Sequence, residues 1–472
     1  MYNQRYQIIS QDQIEMIHEN SMKIMENIGV VIHYERAKEV LKAHGCTVEG
    51  DIVKFPRKLV EDAIKLAPSE FTIYARNPEK NVLMSTETTS YAGPNCPPFV
   101  TDLDRGRRTG SKEDFCNLIT ICDALEHIDM HSQIPCEMND VPVERRAYEM
   151  LYNTIRLSEK PFMGSSMGYE QAKKVIEMAS IAFGGMDVIK EKPVMYCIPC
   201  TLTPLSYDDT QIGAIFAYAE ARQPQLINSL AIAGMTAPAT LVGLVSVSNA
   251  EVLAGITLAQ CISPGTPVIY SGAGSNAEMR TGSLSIGSPE HAICSLLFGQ
   301  LCKYYQIPCR ISGAMSDSCA MDTQAAYESG ITLTMGQMAG GNFILHGVGI
   351  IEGYNCVSYE KMIIDNEMIG FLKRIDKGVE VNEDTLAYDV IEEVGPQGVF
   401  LIEEHTLDHF RDEFYRPTLS QRVPFEEFKT GGCVTAEQRA NKKWKEILAN
   451  YNGSTLDNGI DAELRKYMEN LF

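Results

Sequence analysis

The sequence predicts an α/β protein built as a (β/α)8 TIM barrel, with an N-terminal α/β extension and a C-terminal helical extension. Three observations carry this expectation. Short apolar, β-rich stretches recur along the middle of the chain: IDMHSQI, PFMGSS, VMYCIPC, QLINSL, VIYSGA, RISGAM and FILHGVG. Helix-patterned segments such as QAKKVIEMASIAFGG, DTQIGAIFAYAEAR, NAEVLAGITLAQCI and HAICSLLFGQLCKYY lie between them. The strands end on small or polar residues, among them Gly164-Ser165-Ser166, Asn228-Ser229, Ser271-Gly272 and Ser312-Gly313. Near-continuous apolar strands alternating with helices indicate parallel βα units covered on the outside. The stretch SYAGP, from Ser90, supplies a candidate eighth strand, and eight such units fit a closed barrel. A doubly wound sheet is the competing architecture.

Residues 1–90 read as the N-terminal extension. QDQIEMIHENSMKIMENIGV carries apolar residues at helical spacing and stops at Gly29. ERAKEVLKAHG and PRKLVEDAIKLAP repeat the pattern. FTIYAR and KNVLMST read as strands joined by a turn at Asn77-Pro78. The barrel is assigned to 91–360. Two of its loops are long, Gly93 to Gly110 and Ala273 to Ser288. Loops of that length in a compact fold are usually functional or mobile. Ser111 with Asp114, and Ser288-Pro289-Glu290, supply helix starts. Residues 361–472 read as a charged helical extension packing on the barrel, with the single tryptophan, Trp444.

The net charge of −21 over 472 residues repels nucleic acid and anionic lipid surfaces and tolerates a cationic substrate. The chain starts without a basic n-region and an apolar h-region, so no secretory signal is visible. No window approaches about eighteen unbroken apolar residues, so no membrane span is expected. A cytoplasmic address follows, and fourteen scattered cysteines read as reduced, packed thiols.

Several local patterns have both a functional and a plain reading. Cys197-Ile-Pro-Cys200 lies inside a strand, where residues three apart point to opposite faces, and no second ligand pair accompanies it. No metal site is expected. GAGSNA, Gly272 to Ala277, has the shape of a dinucleotide fingerprint, but EMRTGSLSIG after it is not helical; a flexible glycine loop over a ligand is the reading preferred here. His127 and His131 in HIDMH lack the glutamate of a zinc helix and read as structural. His346, at the carboxyl end of FILH and followed by Glu352, has a functional reading as strong as its structural one. Tyr91, Phe99, Phe162, Tyr207, Tyr354 and Tyr359 stand near the expected barrel mouth. Several of them facing one cavity would hold a quaternary ammonium by cation–π attraction, with Asp317 or Glu352 adding charge complementarity.

Four stretches together resemble the trimethylamine methyltransferase superfamily: ENIGVVIHYERAKEVLKAHGCTVEGDIVKFPRKLVEDAIKLAPSEFTIYARNPEKNV, YAGPNCPPFVTDLDRGRR, DTQAAYE and GPQGVFLIEEHTLDHFRDEFYRPTL. The resemblance runs from about residue 20 to 440. It implies a (β/α)8 barrel that moves a methyl group from an amine to the Co(I) centre of a separate corrinoid protein. Founding members carry pyrrolysine at a strand end, and the corresponding segment here is Ser316 to Cys319, with ordinary residues. The chain therefore looks like members that demethylate quaternary amines such as glycine betaine, proline betaine or carnitine. By the same resemblance Tyr91, His346 and Tyr354, with Phe162 and Asn228, look like pocket residues; Tyr91, Phe162, Asn228 and Tyr354 are taken as substrate-binding candidates, and His346, with Asp317 and Glu352 added for their charge, as the catalytic ones. Gly272, Gly274, Ser275, Gly313, Ser316 and Cys319 are candidates for the face toward the cofactor. No cofactor is expected to be held tightly, since cobalamin arrives on the partner, and a homo-oligomer is expected. A non-catalytic betaine-binding or sensing barrel and a nicotinamide-dependent oxidoreductase are the alternatives.

Overall fold

A computed structural model describes residues 6–454 and 456–472. Eight parallel strand positions close into a ring. Strand Ser90–Tyr91 continues into Ala92, which bridges Met130; His131 bridges Phe162. Phe162–Met163 pairs with Met195–Tyr196, and Cys197 and Cys200 bridge Gln225 and Asn228 of Gln225–Ala233. That strand pairs along its length with Val268–Ala277, then come Cys309–Ser312 and Phe343–Leu345. Phe343–Leu345 pairs back with Ser90–Tyr91, Ile344 opposite Tyr91. A ring has no edge, so the doubly wound alternative is excluded.

Closure sends alternate side chains inward. Met130, Met163, Tyr196, Leu226, Ile269 and Phe343 form one apolar cluster. The hairpin Glu70–Ile73 with Val82–Ser85 adds Ile73, Val82 and Met84 to it, so the extension plugs the amino end of the barrel. The remaining extension strands Val30–Ile32, Thr47–Glu49 and Ile52–Lys54 join Ser206–Tyr207 in a sheet of four. Leu241–Ile262, the longest helix of the ring, is apolar enough to cross a membrane by composition, but most of it is buried inside the protein.

At the carboxyl end the two long loops are more ordered than the sequence suggests. The Gly93–Gly110 connection contains strands Phe99–Thr101 and Arg108–Thr109. They form a rim sheet with Ile350–Ile351 and Cys356–Ser358. GAGSNA is not a flexible loop: it is the second half of strand Val268–Ala277, paired with Leu284–Ser285. Its glycines face outward. A Cβ on Gly272 would sit within the Phe298 ring, and one on Gly274 would meet Leu244. Close helix–strand packing is the reason for both.

The helix after the last barrel strand, Tyr359–Lys377, carries the barrel past the expected boundary near residue 360. Helix Ala436–Ala449 packs on it, with Trp444 Nε1 donating to Glu360 Oε1 at 3.0 Å. Helix Asn458–Glu469 lies against Tyr169–Phe183. Between Lys377 and Ala436, the helices Glu383–Leu386, Tyr388–Val394, Glu404–Glu413 and Phe425–Thr430 contain no buried residue.

Gly272→Ala is expected to lower stability by about 1–3 kcal/mol, because the buried Phe298 ring has to move. Gly330→Ala, in mid-helix with only Met368 Sδ at 4.0 Å from the new Cβ, is expected to raise it by about 0.5–1 kcal/mol. Urea unfolding of both variants checks the pair.

Candidate active site

The carboxyl end of the barrel holds a cavity of about 380 Å³. Its walls come from consecutive strand ends: Asn95 and Cys96, Ser166 and Met167, Ile198 and Cys200, Asn228 and Leu230, Ala273, Arg310, and Leu345 with His346. Tyr354, from the rim sheet, closes one side. Asn228, Ser271 and Arg310 stand one inward step above the apolar layer of Leu226 and Ile269, on register partners of adjoining strands. The cavity reaches the surface beside Met167, which is 58% exposed.

Arg310 is the only charged side chain in this lining, and 2% of it is exposed. Its Nη1 lies 3.5 Å from Asn228 Oδ1. Its Nε has no hydrogen-bond partner among the described residues. Asn228 is fixed from both ends: Oδ1 accepts from Ser271 Oγ at 2.7 Å, and Nδ2 donates to Cys200 Sγ at 3.3 Å. Burial pushes the Tyr354 phenol up, against the pull of the neighbouring Arg310 cation and Ser312.

His346 is held neutral. Burial drives its pKa well below the usual value, and Arg310 and His291 push the same way. The Asn95 N–H donates to its Nδ1 at 3.1 Å, which leaves the ring proton on Nε2. Its ring meets that of Tyr354 edge-on, with centroids 5.0 Å apart. His346 has φ +59°, and Glu352, Gly353 and Tyr354 follow with +54°, +57° and +76°. Left-handed conformations at non-glycine residues are costly and cluster at functional sites.

The other expected site residues lie elsewhere. Tyr91 points outward, where its hydroxyl donates to Gln337 Oε1 at 2.6 Å. Phe162 also faces the outer helices, against Phe183. Neither reaches His346 and Tyr354. Asp317 accepts from the amides of Ile286 and Gly287, both at 2.9 Å, and so pins the loop that follows Val268–Ala277. Glu352 is taken up at the rim by Arg107 Nε, 2.9 Å from both carboxylate oxygens. Neither carboxylate lines the cavity. Ser275 donates to Ser285 O and Ser316 to Glu328 Oε2, so both are structural hydroxyls. Gly313 lets two backbones approach: a Cβ there would lie 2.7 Å from His346 O. Cys319 is exposed. Of the residues expected to bind substrate, Asn228 and Tyr354 share the cavity, with His346.

The outward glycines remove the phosphate cradle that a nicotinamide reading of GAGSNA requires. Cys197 packs among the outer helices while Cys200 faces the cavity, and burial raises both thiols. His131 Nε2 lies 2.7 Å from Ser158 Oγ, whereas the His127 amide donates to Asn366 Oδ1; the two rings belong to separate networks. Among the described residues, Asp384, His405 and His409 bring possible ligand atoms within 4.8 Å of one another, on the C-terminal segment and away from the cavity.

Arg310 and Met167 were missed in reading the sequence. The signal for Arg310 was present: an arginine inside RISGAM, a strand apolar enough to be covered on both faces.

A family model described as trimethylamine methyltransferase (MTTB) matches residues 2–470. The glycine betaine methyltransferase of Desulfitobacterium hafniense (strain Y51) is 45% identical over 464 residues, covering 98% of this chain and 97% of that protein. The proline betaine:corrinoid methyltransferase of Eubacterium limosum is 30% identical, covering 98% and 96%. The trimethylamine methyltransferase MttB of Desulfitobacterium hafniense (strain DSM 10664 / DCB-2) is 31% identical, covering 98% and 93%. A solved structure, the hydroxylamine complex of MtmB, superposes with a TM-score of 0.55 at 13% identity over 95% of this chain and 90% of that one, a likeness of fold.

Burial lowers the pKa of His131 and His346, and brings His291 to about 4. The unfolded chain takes up protons at these positions below its ordinary value near 6.5, and the folded chain does not. Their contribution to stability is thus complete above about pH 6.5 and is lost as pH falls toward 4. The melting temperature is expected to drop steadily between pH 7 and 5. A flat or rising profile over that range contradicts the buried neutral histidines.

Proposed function

The chain belongs to the trimethylamine methyltransferase family, and from that membership we propose that it demethylates a quaternary amine and delivers the methyl group to a corrinoid carried by a separate protein. Glycine betaine, proline betaine, carnitine and similar zwitterions are the substrate class. The observation that carries the reading is the cavity itself. It lies at the carboxyl end of the ring, with Tyr354 and His346 side by side in its wall and an open side at Met167.

The residues fit a corrin that approaches from outside. Apart from Arg310 the cavity lining is uncharged, with Ile134, Met167, Ile198 and Leu230 as its partly exposed apolar members. The corrinoid supplies a reduced cobalt nucleophile when its carrier docks. What falls to this chain is binding, aim and dryness. The Tyr354 ring offers a π face to an onium, a contribution of roughly 0.5–2 kcal/mol when water is excluded. His346, with Nδ1 occupied and no positive charge, adds a second ring without repelling the cation. As the N–CH₃ bond breaks, its electron pair stays on nitrogen and the amine leaves neutral, so no general acid is required. That agrees with a cavity whose one titratable imidazole is locked neutral.

A cytoplasmic location belongs to the same proposal. All fourteen cysteines are free, as suits a reducing compartment.

Purified protein is expected to methylate free cob(I)alamin, followed by absorbance, with one quaternary amine of a betaine panel, releasing one tertiary amine per methyl transferred. Tyr354→Ala is expected to lower kcat/KM by about 10-fold or more, in line with loss of a desolvated cation–π contact. Betaine binding by calorimetry with no methyl transfer at all supports the sensing-protein alternative and ends the enzyme reading.

A further inference from the structure

We infer that Arg310 is the anchor for a carboxylate on the substrate, so that the cavity accepts a quaternary amine only when the amine carries its own anion. The inference rests on the quaternary-amine reading and narrows it.

Besides Lys38, which is paired with Glu35 and Asp51, the described residues include three buried cations, dealt with in three ways. Lys361 Nζ is paired with Asp365 Oδ2 at 2.6 Å, both side chains fully buried. Lys160 Nζ donates to the carbonyls of Cys122 and Leu125 at 2.8 and 3.1 Å, at the end of helix Lys112–Ala124. There the negative end of the helix dipole helps to hold it. Arg310 has neither an acid nor a carbonyl. Its protein partners are neutral, the Asn228 amide oxygen at 3.5 Å and the Tyr354 phenol, and its Nε has no partner among the described residues. A guanidinium keeps its charge even when buried, and an uncompensated buried charge is strongly destabilising.

Among the described residues no acid lines the cavity to supply the missing partner. Asp317 is committed to two loop amides and Glu352 to Arg107. Glu328 is engaged by Ser316 Oγ and the Asp317 amide. The cavity therefore presents one cation and no anion. A planar guanidinium matches a carboxylate through paired N–H donors. The same charge repels an onium that lacks a carboxylate.

The geometry also sets a direction. Arg310 is level with Ser271 and Phe343 in the strand register, at the cavity floor. His346 and Tyr354 lie beyond the strand ends, toward the rim. A zwitterion with its carboxylate on Arg310 points its methylated nitrogen outward, toward the opening through which a corrin approaches.

The test compares glycine betaine, proline betaine and carnitine with choline and tetramethylammonium, by calorimetry and by cob(I)alamin methylation, on the natural protein, Arg310→Lys and Arg310→Met. The natural protein is expected to favour its best betaine over choline by about 100-fold or more in kcat/KM, the scale of rejecting a ligand that leaves a buried polar group unpaired. Arg310→Met is expected to lose about 100-fold toward the betaine and to narrow its margin over choline. Arg310→Lys falls between, since an ammonium cannot reproduce the fork. Choline turned over within about 10-fold of the best betaine by the natural protein overturns the anchor and leaves the methyltransferase reading standing. So does undiminished betaine turnover in Arg310→Met. If no amine is demethylated, the methyltransferase reading falls and calorimetry judges the anchor alone. Betaine bound in preference to choline supports it, whereas equal binding, or none to any betaine, overturns it. Should Arg310→Met not fold, the natural protein's substrate ratio and Arg310→Lys decide the matter.

Discussion

Closure of eight parallel strands is the constraint on which everything at the site depends. A closed ring leaves room inside for one side chain from alternate positions of each strand, stacked in layers. Here Met130, Met163, Tyr196, Leu226, Ile269 and Phe343 fill the lower space with apolar volume. One inward step above Leu226 and Ile269 the residues become Asn228 and Ser271, with Arg310 beside Ser271 in register. The change from hydrocarbon to hydrogen-bonding groups takes place within a single strand repeat. A ligand can reach the polar layer from the carboxyl end alone, because the hairpin Glu70–Ile73/Val82–Ser85 blocks the other.

The upper wall depends on interactions that touch no ligand. Lys361 Nζ donates to Ala314 O at 3.1 Å while its partner Asp365 accepts from the Gly349 amide at 2.7 Å. One buried ion pair thus ties the turn after Cys309–Ser312 to the turn after Phe343–Leu345. Gly313 allows those turns to come together, since any side chain there would strike His346 O. With the turns locked, His346 is held at positive φ with its Nδ1 against the Asn95 amide. The left-handed run from Glu352 to Tyr354 is anchored by Arg107, which grips Glu352 and stacks over Phe99 at 3.7 Å. Glu352 thus has a role, though it lies outside the cavity: it holds the residue two places on, Tyr354, at the cavity wall.

Much of the scaffold was legible in the sequence because its signals are local. Apolar runs of strand length, helical periodicity and capping residues each act over a few positions, and strands such as Gln225–Ala233 fall where the pattern places them. The carboxyl-edge rule also located His346 and Asn228. What the sequence concealed depends on facing. Tyr91 and Phe162 stand in the right strands, but with inward and outward positions alternating and the strands only two residues long by pairing, a shift of one residue turns a pocket ring into a packing ring. Gly272 and Gly274 resembled a ligand loop because glycine marks close approach of any kind, and here the approaching group is a helix. Asp317 and Glu352 were placed near a cation by charge alone, but each already had partners that no spacing rule reveals. Arg310 had the opposite fault. A single charge in an apolar strand reads as an edge, and its meaning appears only when the ring closes around it and no acid among the described residues lines the cavity.

With Arg310 as the proposed anchor, the two ends of one small substrate have different tasks. The onium end meets at most Tyr354 and His346, a modest attraction for a group that must also stay exposed to an incoming cobalt. The carboxylate end, held on the cavity floor by a desolvated guanidinium, is the stronger grip, since charge-assisted hydrogen bonds are about twice as strong as neutral ones. Binding energy from a part of the substrate that does not react can be used to orient the part that does. A floor anchor shifted sideways by an ångström would still bind the betaine but would swing its methyl out of line with the opening. The depth and rigidity of Arg310, fixed between the Ser271 and Phe343 strands and steadied by Asn228, are therefore requirements of the chemistry at the rim as much as of affinity.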